Sequence, residues 1–454
     1  MAQAYSNVSL IEECDSVDST FQISAGRPNL ADDQPQWSLA TRIGFRFAFV
    51  YFILYALSNS NLVKRLPGIS YLGAKYIAGL HKLVPWIGSR LLRLGYPITV
   101  FPQGSGDTTY NYVEILYCVT ISIIGTILWS LLDRKRMNYA KLYQWLSLAL
   151  RFVLGAELLS YGAAKLIPSQ MPAPDLSRLL ETYGDSSPMG LLWTFMGASR
   201  PYEMFCGAVE MLGGILLFVP SLATLGALVG AAALTNVFLL NMCYDVPVKL
   251  FSFHLLLIVL FLAWPSVHGL ARLLIMRRSA APINSQPLFR NTSLNRAALV
   301  LQLLFGITVA SVALTMSHAN QKEMAQRPPH YGIWSVEEYS LEGAVKPPLL
   351  TDETRWRRLI FEFPNSLGVQ GMTGEPSWYR LESDQAHNSI TLSKWGDKNW
   401  KAEFSYREPQ PDVLLLDGAI GGHHIRARMH REDESRFLLT SRGFHWINQY
   451  PYNR

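Results

Sequence analysis

The chain is poor in charge. Of its 454 residues only 16% are charged, while 49% are hydrophobic and mean hydropathy is +0.13. A soluble protein carries about a quarter charged residues, so a wholly aqueous fold is excluded. Cysteine is scarce as well. There are four, with no CxxC pair, so neither a zinc site nor a disulfide framework is indicated. The glycines of GSGDTTY (104–110) follow no strand and precede no Gly-Lys, which makes them a turn and not a phosphate cradle. The start has no apolar core, so no cleavable signal peptide is read. Residues 1–38 are polar and acidic (Glu12, Glu13, Asp15, Asp18, Asp32, Asp33) and are expected to form a disordered tail. The formal net charge is +6, and in the apolar part its basic residues flank the greasy runs. They read as orientation signals, and no nucleic-acid partner is expected.

What is present is a series of apolar runs, each long enough to approach the ~20 residues that cross a bilayer. Seven spans are predicted: 44–57, 112–132, 142–165, two within 201–249 that meet at Pro220-Ser221, 250–270, and 297–316. Residues 39–141 hold the first two spans and an amphipathic segment, Tyr71 to Leu94, expected to lie in the interface and to break at Pro85. Residues 142–270 hold the next four spans. Residues 271–320 supply a basic loop and the seventh. With an odd number of spans, the basic loops 133–141 and 271–296 fall on one side. By the positive-inside rule that side is the cytoplasm, as is the N-terminus. The expected setting is an inner (plasma) membrane, with the C-terminal part extracytoplasmic.

From about Trp334 the period changes. RRLIFEF, SWYRLES, NSITLSK, WKAEFSYRE, DVLLLDGAI, HHIRARMH and RFLLTS alternate over short runs, some separated by Gly396-Asp397 and Gly421-Gly422. Residues 330–454 are therefore an antiparallel β-barrel or sandwich, with the aromatic, basic ending TSRGFHWINQYPYNR expected to plug or brace it. The fold class is an α-helical polytopic membrane protein with a C-terminal antiparallel β-barrel domain.

The motifs RFVLGAELLSYGAAKL (151–166) and GAVEMLGGILL (207–217), with the small-residue helix after them, resemble the DoxX-like family of four-helix membrane proteins over residues 142–270. The C-terminal domain is similar in strand number to lipocalin-like barrels. The first resemblance implies kinship with membrane redox complexes, including thiosulfate:quinone oxidoreductase subunits. It places Glu210 at the family's glutamate before a glycine pair and Lys165 at the basic residue closing the preceding span. A quinone or a bound lipid is the implied occupant.

Ionisable residues at membrane depth are costly and mark functional positions by default. Glu203 and Glu210 are seven residues apart on one helical face with Gly207 and Gly214, and small residues there admit a neighbouring helix. Gly226, Gly230, Thr235, Asn236 and Asn241 in the next run offer such a neighbour. Glu157, Tyr161 and Lys165 recur every four residues on one face. The outer two are ~12 Å apart, too far to touch, so Tyr161 bridges them or each pairs across helices, Lys165 or Arg151 with Glu210. The bland reading is a set of structural ion pairs.

His254 is a lone intramembrane histidine, more often a hydrogen-bonded structural residue than a metal or haem ligand. His423 and His424 are adjacent on a strand and point to opposite faces, so no metal site is assigned. Cys118, Cys206 and Cys243 map toward one end of their spans. That arrangement admits a thiol relay through Cys206 and Cys243, although such residues usually act as small apolar fillers. Trp378, Trp395, Trp400 and Trp446 line a hydrophobic barrel cavity or form its core, while Arg426 and Arg428 are solvated on one face with His424.

The ligand-binding candidates are thus Glu157, Tyr161, Lys165, Glu203, Glu210, Asn236 and His254. The expected function is an accessory or ligand-binding subunit of a quinone-linked membrane redox system, with membrane lipid and other membrane subunits as partners. The alternative is a carrier of lipid or hydrophobic ligand, or an assembly scaffold, that moves no electrons.

Overall fold

The computed structural model describes residues 36–66, 68–100, 104–279 and 287–453, without the side chains of Arg65, His268 and Lys398. The expected disordered tail lies, up to residue 35, outside the described residues. Helices α1 (Leu39–Asn59), α2 (Asn61–Arg65) and α3 (Ile69–Trp86) come first. They are followed by α4 (Thr109–Leu132), α5 (Ala140–Leu166), α6 (Leu176–Leu180), α7 (Pro188–Gly197), α8 (Arg200–Phe218), α9 (Ala223–Cys243), α10 (Lys249–Leu274) and α11 (Thr292–Met324). Seven of these, α1, α4, α5, α8, α9, α10 and α11, are long and apolar enough to cross a membrane. The protein is a polytopic helical membrane protein.

Helix α5 is the axis of the bundle. Of its most apolar stretch 61% is buried inside the protein, against at most 44% for the other spans. Glycine makes its contact with α8 possible. A Cβ on Gly207 would lie 2.4 Å from the Leu166 backbone nitrogen and 2.5 Å from the Gly162 carbonyl oxygen, so neither glycine accepts a larger residue without the helices separating. The face carrying Glu210, Gly207 and Gly214 therefore turns to α5 and not to the following helix, where the sequence had offered Gly226 and Gly230 as neighbours. Those two meet the flank of α8 instead, at Gly213 and Leu217.

One expectation changes and two are extended. Pro85 does not break α3, which runs through it and then widens into a π-turn, Ile87–Leu91. Arg46 is more than an orientation signal. It is 3% exposed and donates to the Tyr139 hydroxyl, to Ser130 Oγ at 2.7 Å and to the Asp133 carbonyl, clamping α1 to the α4–α5 turn. In GSGDTTY, Asp107 accepts from the Lys249 and Leu250 backbone N–H groups at 2.8 and 2.9 Å. That turn thereby caps the start of α10, satisfying two of its orphan donors.

Seven residues after α11 the barrel begins. Its strands are β1 (Gly332–Leu341), β2 (Ala344–Val345), β3 (Trp356–Phe363), β4 (Ser366–Gly371), β5 (Ser377–Asp384), β6 (Ser389–Lys394), β7 (Asp397–Gln410), β8 (Val413–Ile420) and β9 (His423–Arg431). All pairings are antiparallel, and β1 pairs with β9 from Trp334↔Arg431 to Leu341↔Ile425. Apart from the two-residue β2, this closes an eight-stranded barrel. Inward positions from every long strand fill it, including Trp334, Tyr339, Trp356, Phe361, Phe404 and Met429, as a barrel of this size allows.

The tryptophans named from sequence are not the centre of that core. Trp400 packs at its margin, Trp378 lies outside with Ile333 and Ile360, and Trp395 and Trp446 are 64% and 91% exposed. RFLLTS is no strand but a 3-10 turn and a short helix, α12 (Leu438–Ser441). The ending neither plugs nor braces the barrel, since Phe444, Trp446 and Tyr450 stand in the open. Arg355 closes one end instead. It is 2% exposed and donates to the carbonyls of Lys346, Trp356 and Val336 at 3.0–3.1 Å.

The barrel rests on the helical part through α6. Leu176 packs with the outward-facing Ile333 and Ile360, and the Ser177 N–H donates to Glu362 at 3.3 Å. Chain parity agrees with this contact, because the α5–α8 loop and the segment after α11 leave the seven-span bundle on the same side.

Candidate functional site

A cavity of about 280 Å³ opens among α5, α8, α9 and α10 on the barrel side, with α7 laid over it. Helix α5 contributes Glu157, Tyr161 and Lys165, so the four-residue period does bring them to one wall. Helix α8 adds Cys206 and Glu210, α9 adds Asn236 and Asn241, and α10 adds Ser252. The cover is apolar, with Met171, Met189, Trp193 and Met196. A polar floor under a thioether and aromatic lid suits a molecule with a small polar head and a greasy body.

Lys165 and Glu210 dominate the floor. Nζ donates to both carboxylate oxygens at 2.8 Å, with each residue at most 6% exposed. Removed from water, two such charges persist only because each answers the other. Arg151, the other cation offered to Glu210, donates instead to the Leu217 carbonyl at 2.9 and 2.6 Å near the C-terminus of α8. Tyr161 does not bridge Glu157 to Lys165 by hydrogen bonds. Glu157 accepts from the Asn61 backbone N–H at 2.9 Å and its Nδ2 at 3.1 Å, and the Lys165 ammonium stands 5.9 Å from the centre of the Tyr161 ring.

Of the neutral polar groups, Asn241 donates to Ser252 at 3.0 Å. The Tyr161 hydroxyl and the Asn236 amide line the cavity without a hydrogen bond among the described residues. With Gln170, whose buried Oε1 also has no partner among the described residues, they give the lining capacity for an occupant.

Two proposed residues lie elsewhere. Glu203 is fully buried beside the cavity and accepts from the Met171 N–H at 3.1 Å, holding the loop after α5 against α8. His254 is 1% exposed. Its Nδ1 lies 2.6 Å from the Leu250 carbonyl and therefore carries the proton, leaving Nε2 to accept from the Tyr51 hydroxyl at 2.6 Å. With Tyr55 stacked on it at 4.0 Å between ring centres, it is a fully occupied structural histidine. The cysteines do not share one environment. Cys118 is buried against the core, Cys206 is in the cavity wall, Cys243 is exposed, and all three are free thiols.

Sequence reasoning passed over Glu114. It lies in α4, 4% exposed, accepts from Asn59 Nδ2 at 3.3 Å, and lines a second cavity of about 140 Å³. That chamber shares Tyr161, Val248 and Phe251 with the first. The signal was present, a carboxylate inside an apolar run, which is the rule that had singled out Glu210.

No protein-family model matches the chain, and no solved structure matches it. Over 114 residues it is 32% identical to the uncharacterized protein YwoB of Bacillus subtilis (strain 168), an alignment that covers 25% of this chain and 72% of that protein. Through that quarter of its length, the chain belongs to the family of YwoB.

Proposed function

We propose that the protein binds a lipid-soluble molecule with an uncharged polar head, of the quinone class, and serves as an accessory subunit of a quinone-linked membrane redox system. The observation that carries the ligand reading is the state of the cavity's polar groups. Lys165 and Glu210 neutralise each other, whereas the Tyr161 hydroxyl and Asn236 amide are uncommitted. A phosphate head would compete with Glu210 for Lys165 and strand a buried carboxylate. A carbonyl or hydroxyl head needs only the neutral donors. The redox setting draws on the resemblance of the motifs at 151–166 and 207–217 to those of DoxX-like proteins. The reading places the chain in an inner (plasma) membrane, with the N-terminus cytoplasmic and the barrel extracytoplasmic, supported by the basic loops 133–141 and 271–296.

The test is extraction of lipids from protein purified in native-membrane discs. A quinone is expected at near one per chain, and to be lost on Asn236→Leu combined with Tyr161→Phe. Extracts with no quinone, or with unchanged content in that variant, would end the proposal.

One observation favours a second reading, an assembly scaffold for other membrane subunits. The eight-stranded barrel is filled by its own side chains, which supports a docking module over a vessel receiving ligand from the bundle. Cross-linking from barrel-surface positions in intact membranes separates the two. A partner subunit captured there, with an empty cavity, favours the scaffold.

A further inference from the structure

The C-terminal segment has a shape that the barrel does not use. After α12 the chain forms a self-held turn: Arg442 donates to Asn448 Oδ1 at 2.8 Å, its guanidinium stands 4.0 Å from the centre of the Tyr452 ring, and Asn448 donates to the His445 carbonyl at 3.1 Å. These bonds order residues 442–452 without burying their large side chains. Phe444, Trp446, Ile447 and Tyr450 are 75%, 91%, 78% and 83% exposed, with Phe444 and Trp446 edge to face at 5.0 Å. An isolated exposed apolar side chain needs no explanation, but three rings and an isoleucine on one ordered turn form a surface that water does not stabilise.

Its position identifies what covers it. Phe437, immediately before α12, packs into the cluster of Leu176, Ile333 and Ile360 where the barrel meets α6. The segment thus leaves the barrel beside α6, at the place where the barrel meets the helical part. Its residue types are those of the membrane–water interface. Trp and Tyr rings sit at head-group depth, with arginine at their polar edge.

We propose that residues 438–452 form an interfacial anchor, in which Phe444, Trp446, Ile447 and Tyr450 enter the head-group layer of the leaflet on the barrel side and hold the barrel against the bilayer. Binding of this kind scales with the apolar area that enters the interface.

The experiment uses the full chain in phosphatidylcholine nanodiscs, with and without lipids brominated in the upper acyl chain. The fluorescence of Trp446 is taken as wild type minus Trp446→Phe, a variant that leaves the fold unchanged. The expected result is difference emission quenched severalfold by the brominated lipid and shielded from acrylamide. Emission quenched by acrylamide and indifferent to bromine places the turn in water and overturns the proposal. Emission quenched by neither places it under protein, whether a second copy or another chain, and overturns it equally.

Discussion

Glu362 on the barrel wall accepts a hydrogen bond from the backbone N–H of Ser177, 3.3 Å away on the loop between two membrane spans. It is 6% exposed, and its second oxygen has no partner among the described residues. Burial pushes this carboxyl up to about 7, the Ser177 hydrogen bond opposes the push, and the nearby Asp175 carboxylate adds to it. Asp175 is itself raised by burial, against the pull of Arg178. A group whose pKa is raised by docking releases its proton on undocking. The contact is therefore strongest at acid pH and weakens as pH rises from the ordinary carboxylate range to about 7, above which it is level. The full span of the effect is on the order of 3 kcal/mol. Protection of the amides at residues 176–180 and 356–363, after division by the intrinsic base-catalysed exchange rate at each pH, is expected to fall across that window in the wild type and to be flat in Glu362→Gln. Protection that rises with pH would refute the sign.

Lys165 and Glu210 make the second prediction. Removing one partner leaves a bare charge in a water-poor cavity, so Lys165→Met and Glu210→Gln are each expected to lower stability, Lys165→Met by about 3–5 kcal/mol. The double change Lys165→Met with Glu210→Leu removes both charges and is expected to recover most of that loss. Thermal unfolding of the three variants in one detergent gives the comparison. Additive losses would show that the pair is not coupled.

How much of this was legible follows from what each signal encodes. Apolar length marks spans, and the four-residue period of Glu157, Tyr161 and Lys165 marks a helical face, so both read directly. Which helix that face meets did not read, because Gly207 and Gly214 announce a close neighbour without saying which one. Lys165 as the partner of Glu210 was one of two candidates, and only packing decides against Arg151. In the barrel, β1 was passed over because the bulge between Val336 and Glu338 breaks its period of two. Strand β4 was missed because two glycines interrupt it. RFLLTS carries a strand-like apolar run whose Leu438 and Leu439 are about half exposed, so its pattern answers to no core. The cavity's apolar lid comes from α7 and the loop before it, and no local pattern ties those to α5.

Gly207 provides a third prediction. A methyl group there would sit 2.4 Å from the Leu166 nitrogen and 2.5 Å from the Gly162 carbonyl oxygen, both backbone atoms that no rotamer change relieves. Gly207→Ala is expected to force α5 and α8 apart, at a cost of about 1–3 kcal/mol or more. It also displaces Glu210 from Lys165, so lower thermal stability and lower ligand content are expected together. Gly44→Ala, inside α1 where a methyl group meets nothing within 4 Å, is the matched control and is expected to leave ligand content unchanged and stability the same or slightly higher.

Tyr51 and His254 separate structure from site. The Tyr51 hydroxyl donates to His254 Nε2 at 2.6 Å in a buried contact between α1 and α10, and neither residue lines the main cavity. Tyr51→Phe removes the donor and leaves a buried imidazole nitrogen unsatisfied, a loss of about 1–3 kcal/mol. Because Tyr55 still stacks on the ring, the imidazole keeps its place and the cavity its shape. The expected outcome is a lower unfolding temperature with unchanged ligand content in extracts of the purified variant. Loss of ligand at unchanged stability would move His254 from the bundle's framework into the binding site.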